Sequence, residues 1–211
     1  ILSPPVTEMT ALLDELDRRG LPYVRIAPGA RKDAGMAAAI DDVAAAREVT
    51  EHLIGLGHRQ IGFIRGLESH VSTWERLQGY REALEAHGIS FDEELVAAGE
   101  NSFTSGGEAA RKLLERSPRP TAIFAGNDDM AAGVLAVAHE TDVDVPGQLS
   151  IVGFDDSDLA KAVWPPLTTM RQPVRELAYA AANLMLAPDA APRVTLEHKL
   201  MVRSTTGPAP R

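Results

Sequence analysis

The sequence predicts an α/β protein built on parallel sheets with helices packed on both faces. Short apolar runs alternate with longer helical patterns along most of the chain. Ile61–Ile64, Thr121–Ala125 and Leu149–Phe154 are nearly unbroken apolar stretches, as strands covered on both faces are. The composition of 45% hydrophobic and 24% charged residues is that of a folded globular chain, and 211 residues suffice to bury a real core.

Taken in order, Val6–Arg19 places Met9, Leu12, Leu13 and Leu16 on one helical face, with Gly20 as the stop. Tyr23–Ile26 and Ala37–Ile40 read as strands. Asp41 and Asp42 are candidate N-caps for a helix over Val43–Leu56, which Gly57 closes. After the Ile61–Ile64 strand, Ser72-Thr73-Trp74-Glu75 has capping-box form and opens a helix to His87, with Gly88 as the stop. Leu95–Ala98 is a strand. Ser105-Gly106-Gly107-Glu108 reads as a second capping box, for a helix to about Arg116. Thr121–Ala125 is a strand, and Asn127 caps a helix from Asp128 to about Glu140. After Leu149–Phe154 comes a short turn, Ser157–Ala162. Trp164–Thr169 reads as a rigid extended segment. Pro173 sits at the first position of a helix to Leu186, Pro188–Pro192 is a loop, Leu196–Val202 a final strand, and Gly207–Arg211 a frayed end.

Lys and Arg total 21 against 30 Asp and Glu, a net charge of −9. Gripping nucleic acid needs clustered cations on one face, so this balance argues against DNA contact by these residues, and equally against an anionic membrane surface. There is no cysteine, which removes disulfides, thiolate metal sites and Cys nucleophiles together. No apolar run approaches the about 18 residues a membrane helix needs. His52, His58, His70, His87, His139 and His198 show no i,i+4 pairing, so no metal is expected. The opening Ile1-Leu2-Ser3-Pro4-Pro5 reads like a strand end entering a loop, which makes the chain look like a fragment of something longer.

In open α/β sheets ligands bind beyond the carboxyl ends of the strands. Four successive strands deliver polar side chains there: Arg65, His70, Ser72 and Arg76; Glu100 and Asn101; Asn127; then Asp155, Asp156 and Asp158. This mixture of donors and acceptors suits a polyhydroxylated small molecule. Each member also has a plainer reading. Ser72 and Asn127 are good N-caps, Arg76 pairs with nearby acids on a solvated helix, and Asp155-Asp156 caps the next turn. Convergence on one rim, rather than any single residue, favours a site. Enzyme signatures are missing: there is no G-x-G-x-x-G, no Walker loop and no nucleophile elbow, and the rim carboxylates do not straddle a bond as a glycosidase pair does. No catalytic residue and no cofactor is implied.

Five segments stand out together: Glu51–Ile61, Ser72–Tyr80, Pro120–Ala131, Ser150–Asp156 and Pro165–Pro173. In this order they resemble the effector-binding core of the lactose/galactose repressor family of bacterial transcription regulators. The resemblance implies two Rossmann-like lobes of the periplasmic-binding-protein type. Residues 1–42 with 173–192 form a partial N-terminal lobe, and 43–157 with 196–204 the C-terminal lobe. A small effector, usually a sugar or nucleobase, binds in the family's interlobe cleft. By position the resemblance assigns effector contacts to Arg76, Asn127, Asp155 and Ser72, with Gln172 at a crossover. Asn101 stands where many members carry a stacking aromatic, a role Trp74, Trp164 or Phe103 would have to supply unless they are ordinary packing residues. Arg65 adds a cation at the rim, to bind an acidic sugar or to pair with a neighbouring acid.

The resulting expectation is the ligand-sensing core of a homodimeric, cytoplasmic DNA-binding repressor. Its effector is a saccharide, and its operator contacts are made through an N-terminal headpiece absent from these residues. The rivals are a periplasmic sugar-binding protein of a transport system and, further off, a sugar-modifying enzyme.

Overall fold

A computed structural model describes residues 1–29, 31, 34–187 and 192–210. The chain divides into two compact units, one formed by residues 1–41, 69–72 and 173–198, the other by 42–68, 73–172 and 199–211. Residues 158–172, which the sequence reading left outside both lobes, belong to the second.

The first unit holds α1 (Thr10–Arg18), β1 (Val24–Ile26), β2 (Met36–Ala39), α7 (Val174–Leu186) and β8 (Arg193–Thr195), with its three strands parallel in the order β1-β2-β8. Val24, Ala38, Leu177, Ala181 and Leu184 form its core. The Val6–Arg19 helix divides in two. Val6–Glu8 is a 3-10 turn, and Met9 leaves helical geometry before α1 begins. Pro173 is the N-cap of α7 rather than its first residue. Of the Pro188–Pro192 loop, 188–191 lie outside the described residues. Strand β8 is an addition that the short, mostly exposed run Arg193–Thr195 did not signal.

The second unit carries α2 (Asp42–Gly55), β3 (Ile61–Arg65), α3 (Val71–Ala86), β4 (Val96–Ala98), α4 (Phe103–Leu114), β5 (Ala122–Ala125), α5 (Asp128–Glu140), β6 (Ser150–Asp155), α6 (Asp158–Ala162), β7 (Thr168–Arg171) and β9 (Lys199–Met201). Its six-stranded sheet runs β4-β3-β5-β6-β7-β9, parallel except for β9, which is antiparallel to β7. Burial of strands on both faces explains the unbroken apolar runs. On one face Ile64, Ile123 and Ile151 pack with Leu113, Met130, Val134 and Leu135. Elsewhere in the core runs a row of aromatic rings: Tyr80 stacks on Phe63 at 5.1 Å, Phe63 meets Phe124 edge-on at 5.0 Å, and Phe124 stacks with Phe154 at 6.5 Å.

Both capping boxes shift. Ser72 lies inside the first turn of α3, which starts at Val71, so it is not the cap. The α4 cap is Ser102, whose hydroxyl accepts from the Ser105 amide, while the Ser105 hydroxyl accepts from the Ser102 amide. Ser105 is therefore the third residue of the helix and not its cap. The Trp164–Thr169 segment is extended as expected, but Thr168–Arg171 goes further and pairs as strand β7 between β6 and β9.

Helices α4 and α5 approach closely through glycines. A Cβ added at Gly133 would fall on the Phe103 carbonyl oxygen, and one at Gly106 on the Met130 backbone. Gly133→Ala is expected to cost roughly 1–3 kcal/mol, the usual penalty of overpacking. An unchanged urea midpoint would contradict this close packing.

Gly207 and Ala209, within the Gly207–Arg211 end expected to fray, are instead stitched down, as is Thr205 before them. Thr205, fully buried, exchanges bonds with Ile151 and donates to its carbonyl oxygen at 2.7 Å. The Ala209 amide donates to the Leu56 carbonyl at 2.9 Å. Buried His58 reaches the Gly207 carbonyl with Nε2 at 3.1 Å. A carbonyl only accepts, so Nε2 carries the proton and Nδ1 accepts from the Thr121 hydroxyl at 2.9 Å. Burial pushes the His58 pKa down and keeps the ring neutral.

Candidate functional site

The site lies where β5, β6 and β7 of the second unit end, beside the start of α3. Arg76 is its most constrained member. Its Nε donates to the Asp42 carboxylate at 2.7 Å and Nη1 to the Gly126 carbonyl at 2.6 Å. Its guanidinium lies 3.7 Å from the centroid of the Phe154 ring, so the aromatic row ends in a cation–π contact. The side chains of Arg76 and Asp42 are only 12% and 6% exposed, which rules out the solvated-helix reading of Arg76.

Asp155 ends β6 with φ of 120°, and Asp156 follows at 57°. Two successive side-chain-bearing residues in left-handed backbone turn the chain sharply as it leaves the sheet. Asp155 accepts from the Gln172 amide at 2.6 Å. Burial pushes its pKa up to about 6 even though the Arg76 charge and the Gln172 bond pull it down. Asp156 takes a structural part. Burial works against its charge, but Arg203 and Arg171 both bond it, the latter at 2.6 Å, and hold its pKa below the ordinary value.

Asn127 is the N-cap of α5, accepting from the Met130 amide at 2.9 Å while its Nδ2 donates to the Asn101 carbonyl at 3.1 Å. Capping and site membership are thus compatible, because one amide N–H is left for a ligand. Asn101 adopts φ of 57°, and its side-chain oxygen occupies the space that a Cβ at position 66 would need, which glycine leaves open. Arg76, Asp155 and Gln172 are linked around Asp155 by charge and hydrogen bonding, and Asn127 is joined to Asn101. Ser72 falls with the first unit and is not among this set.

Arg65 pairs with the neighbouring acid Glu68 at 2.7 Å and lies 5.0 Å over the Trp74 ring. Trp74 and Phe103 are exposed, and Trp164 is 81% exposed.

Two acids beside these residues carry no sign of their partners in the sequence. Asp42 reads as a helix cap, yet it pairs with Arg76, 34 positions away. Asp128 reads only as the start of the helix that Asn127 caps. It is buried and accepts from the Thr169 hydroxyl at 2.6 Å and from the Ser157 amide at 2.7 Å. Burial nonetheless pushes its pKa up. Among the described residues no group of three His, Asp or Glu is placed to hold a metal.

The periplasmic binding protein-like domain family matches residues 50–206. A transcriptional regulator LacI from Bacillus cereus subsp. cytotoxis superposes with a TM-score of 0.88 at 33% identity, covering 94% of this chain and 72% of that one. The chain belongs to the lactose/galactose repressor family. Among other members, the HTH-type transcriptional regulator CelR of Thermobifida fusca is 39% identical over 197 residues, 90% of this chain and 58% of CelR. The CelR–cellobiose complex superposes with a TM-score of 0.82 at 38% identity, covering 90% of this chain and 60% of that one. The HTH-type regulator GalR of Escherichia coli is 42% identical over 149 residues, 71% of this chain and 43% of GalR. The chain thus spans about half the length of these two regulators.

Proposed function

We propose that this chain is the effector-sensing part of a DNA-binding transcription regulator, and that its effector is a saccharide. The observation that carries the proposal is the Arg76–Asp155–Gln172 cluster at the carboxyl rim of the sheet, with Asn127 capping the adjoining helix. Its guanidinium, carboxylate and amides are groups that pair with vicinal hydroxyls. Related proteins support the class. CelR has been solved with cellobiose, and a family regulator from Enterococcus faecium, 25% identical with a TM-score of 0.84, with bound ribose. The effector shifts a conformational equilibrium by binding one state more tightly than the other. Ligand is sensed and not turned over.

The regulator works in the cytoplasm as a homodimer and reaches operator DNA through a helix-turn-helix headpiece. This chain, with a net charge of −9, supplies none of the phosphate contacts. A thermal-shift screen of mono- and disaccharides tests the reading. At least one is expected to raise the melting temperature by several degrees, by mass action. A screen in which no saccharide does so overturns the effector class. Sedimentation showing only monomer at micromolar concentration overturns the dimer.

A further inference from the structure

The cations at this rim are already committed. Arg76 is held by Asp42 and the Gly126 carbonyl, Arg65 by Glu68, and Arg171 by Asp156, which also bonds Arg203. Helix N-termini are the other ordinary seat for an anion. That of α5 has Asp128 and Asp129 in its first turn, and that of α4 is closed by the Ser102–Ser105 box. Asp42, Asp128 and Asp155 raise the local negative charge, and Asp128 and Asp42 each work against the ionisation of Asp155.

We infer that the site selects an uncharged saccharide and discriminates against phosphorylated and acidic sugars, with the Asp42–Arg76 ion pair as the selector. This deepens the proposed function and rests on it. An arriving phosphate or carboxylate finds no free cation among the described rim residues and adds like charge beside three carboxyl groups. A neutral sugar keeps what the paired cluster still offers: the remaining guanidinium N–H groups of Arg76, the lone pairs of Asp155 and one amide hydrogen of Asn127.

The test titrates matched pairs by calorimetry: glucose with glucose 6-phosphate and glucuronate, ribose with ribose 5-phosphate, and cellobiose with cellobionate. The neutral member of any pair that binds is expected to do so at least tenfold more tightly. An anionic member that binds as well as its neutral parent overturns the selectivity while leaving the saccharide reading standing. No binding by either member of any pair overturns the saccharide reading itself, and the selectivity with it.

In the variant Asp42→Asn the guanidinium regains an unneutralised charge. Affinity for the anionic member of the binding pair is expected to rise about tenfold, with circular dichroism confirming the fold. Where that variant does not fold, Asp42→Ser serves the same purpose, since a neutral hydroxyl likewise leaves the Arg76 guanidinium unneutralised. An unchanged preference in the folded variant removes the selector role.

Discussion

Asp155→Asn is expected to stabilise the protein at pH 7.5 and to weaken saccharide binding. The carboxyl group has a folded pKa of about 6 against an ordinary value of 3.8, raised by burial. The native state therefore holds the proton more tightly than the unfolded chain does. For such a group stability is greatest below about pH 4 and declines as pH rises toward 6, by roughly 3 kcal/mol in all. The amide carries no such cost and still accepts from Gln172. At pH 7.5 the variant should unfold at higher denaturant concentration, and at pH 4 the two proteins should converge. Binding should move the other way. A hydroxyl–carboxylate hydrogen bond contributes about 1.5–3 kcal/mol, so its loss lowers affinity about tenfold to a hundredfold. By the same reasoning, wild-type affinity should fall as pH drops below about 6. A variant less stable than wild type at pH 7.5, or one with wild-type affinity, would sink the assignment.

Arg76→Ala should be the more damaging change. It leaves the Asp42 carboxylate buried without its cation, the Gly126 carbonyl without a donor and the Phe154 ring uncovered. Removing one partner of a buried pair costs about 3–5 kcal/mol, chiefly because the stranded charge remains. Removing Asp42 as well should recover part of that loss, and a double-mutant cycle measures the coupling. Strictly additive losses from Arg76→Ala and Asp42→Ala would show that the pair is not energetically joined. Saccharide binding should be lost in Arg76→Ala even at temperatures where the variant remains folded.

Both changes centre on residues the sequence named, though for incomplete reasons. Arg76, Asn127 and Asp155 were legible because the strands before them are unmistakable and parallel sheets bind ligands at one end. What they bond to was not, because Asp42 and Arg76 meet only through tertiary packing. The fold was read best where burial is two-sided, at β3, β5 and β6, and where Gly20, Gly57 and Gly88 adopt positive φ after helices. It was read worst where local signals compete. Two Ser-x-x-Glu patterns mimicked capping boxes, whereas the true α4 cap uses Ser105 in place of an acid. Strand β7 was hidden behind two prolines, since Thr168 and Thr169 are buried by their partners rather than by hydrophobicity.

The stitched segment that includes Thr205 and Ala209 also bears on how the protein is made. Helix α2 opens the second unit at Asp42, yet β9 and the bonds from Thr205 to Ile151 and from Ala209 to Leu56 come from residues synthesised far later. A ribosome elongates at about 5–20 residues per second, so for roughly 1.5–6 seconds β7 waits, with one edge unpaired, for the strand that covers it. Slow elongation over that interval, or premature termination within it, leaves an open strand edge that invites pairing with another nascent chain.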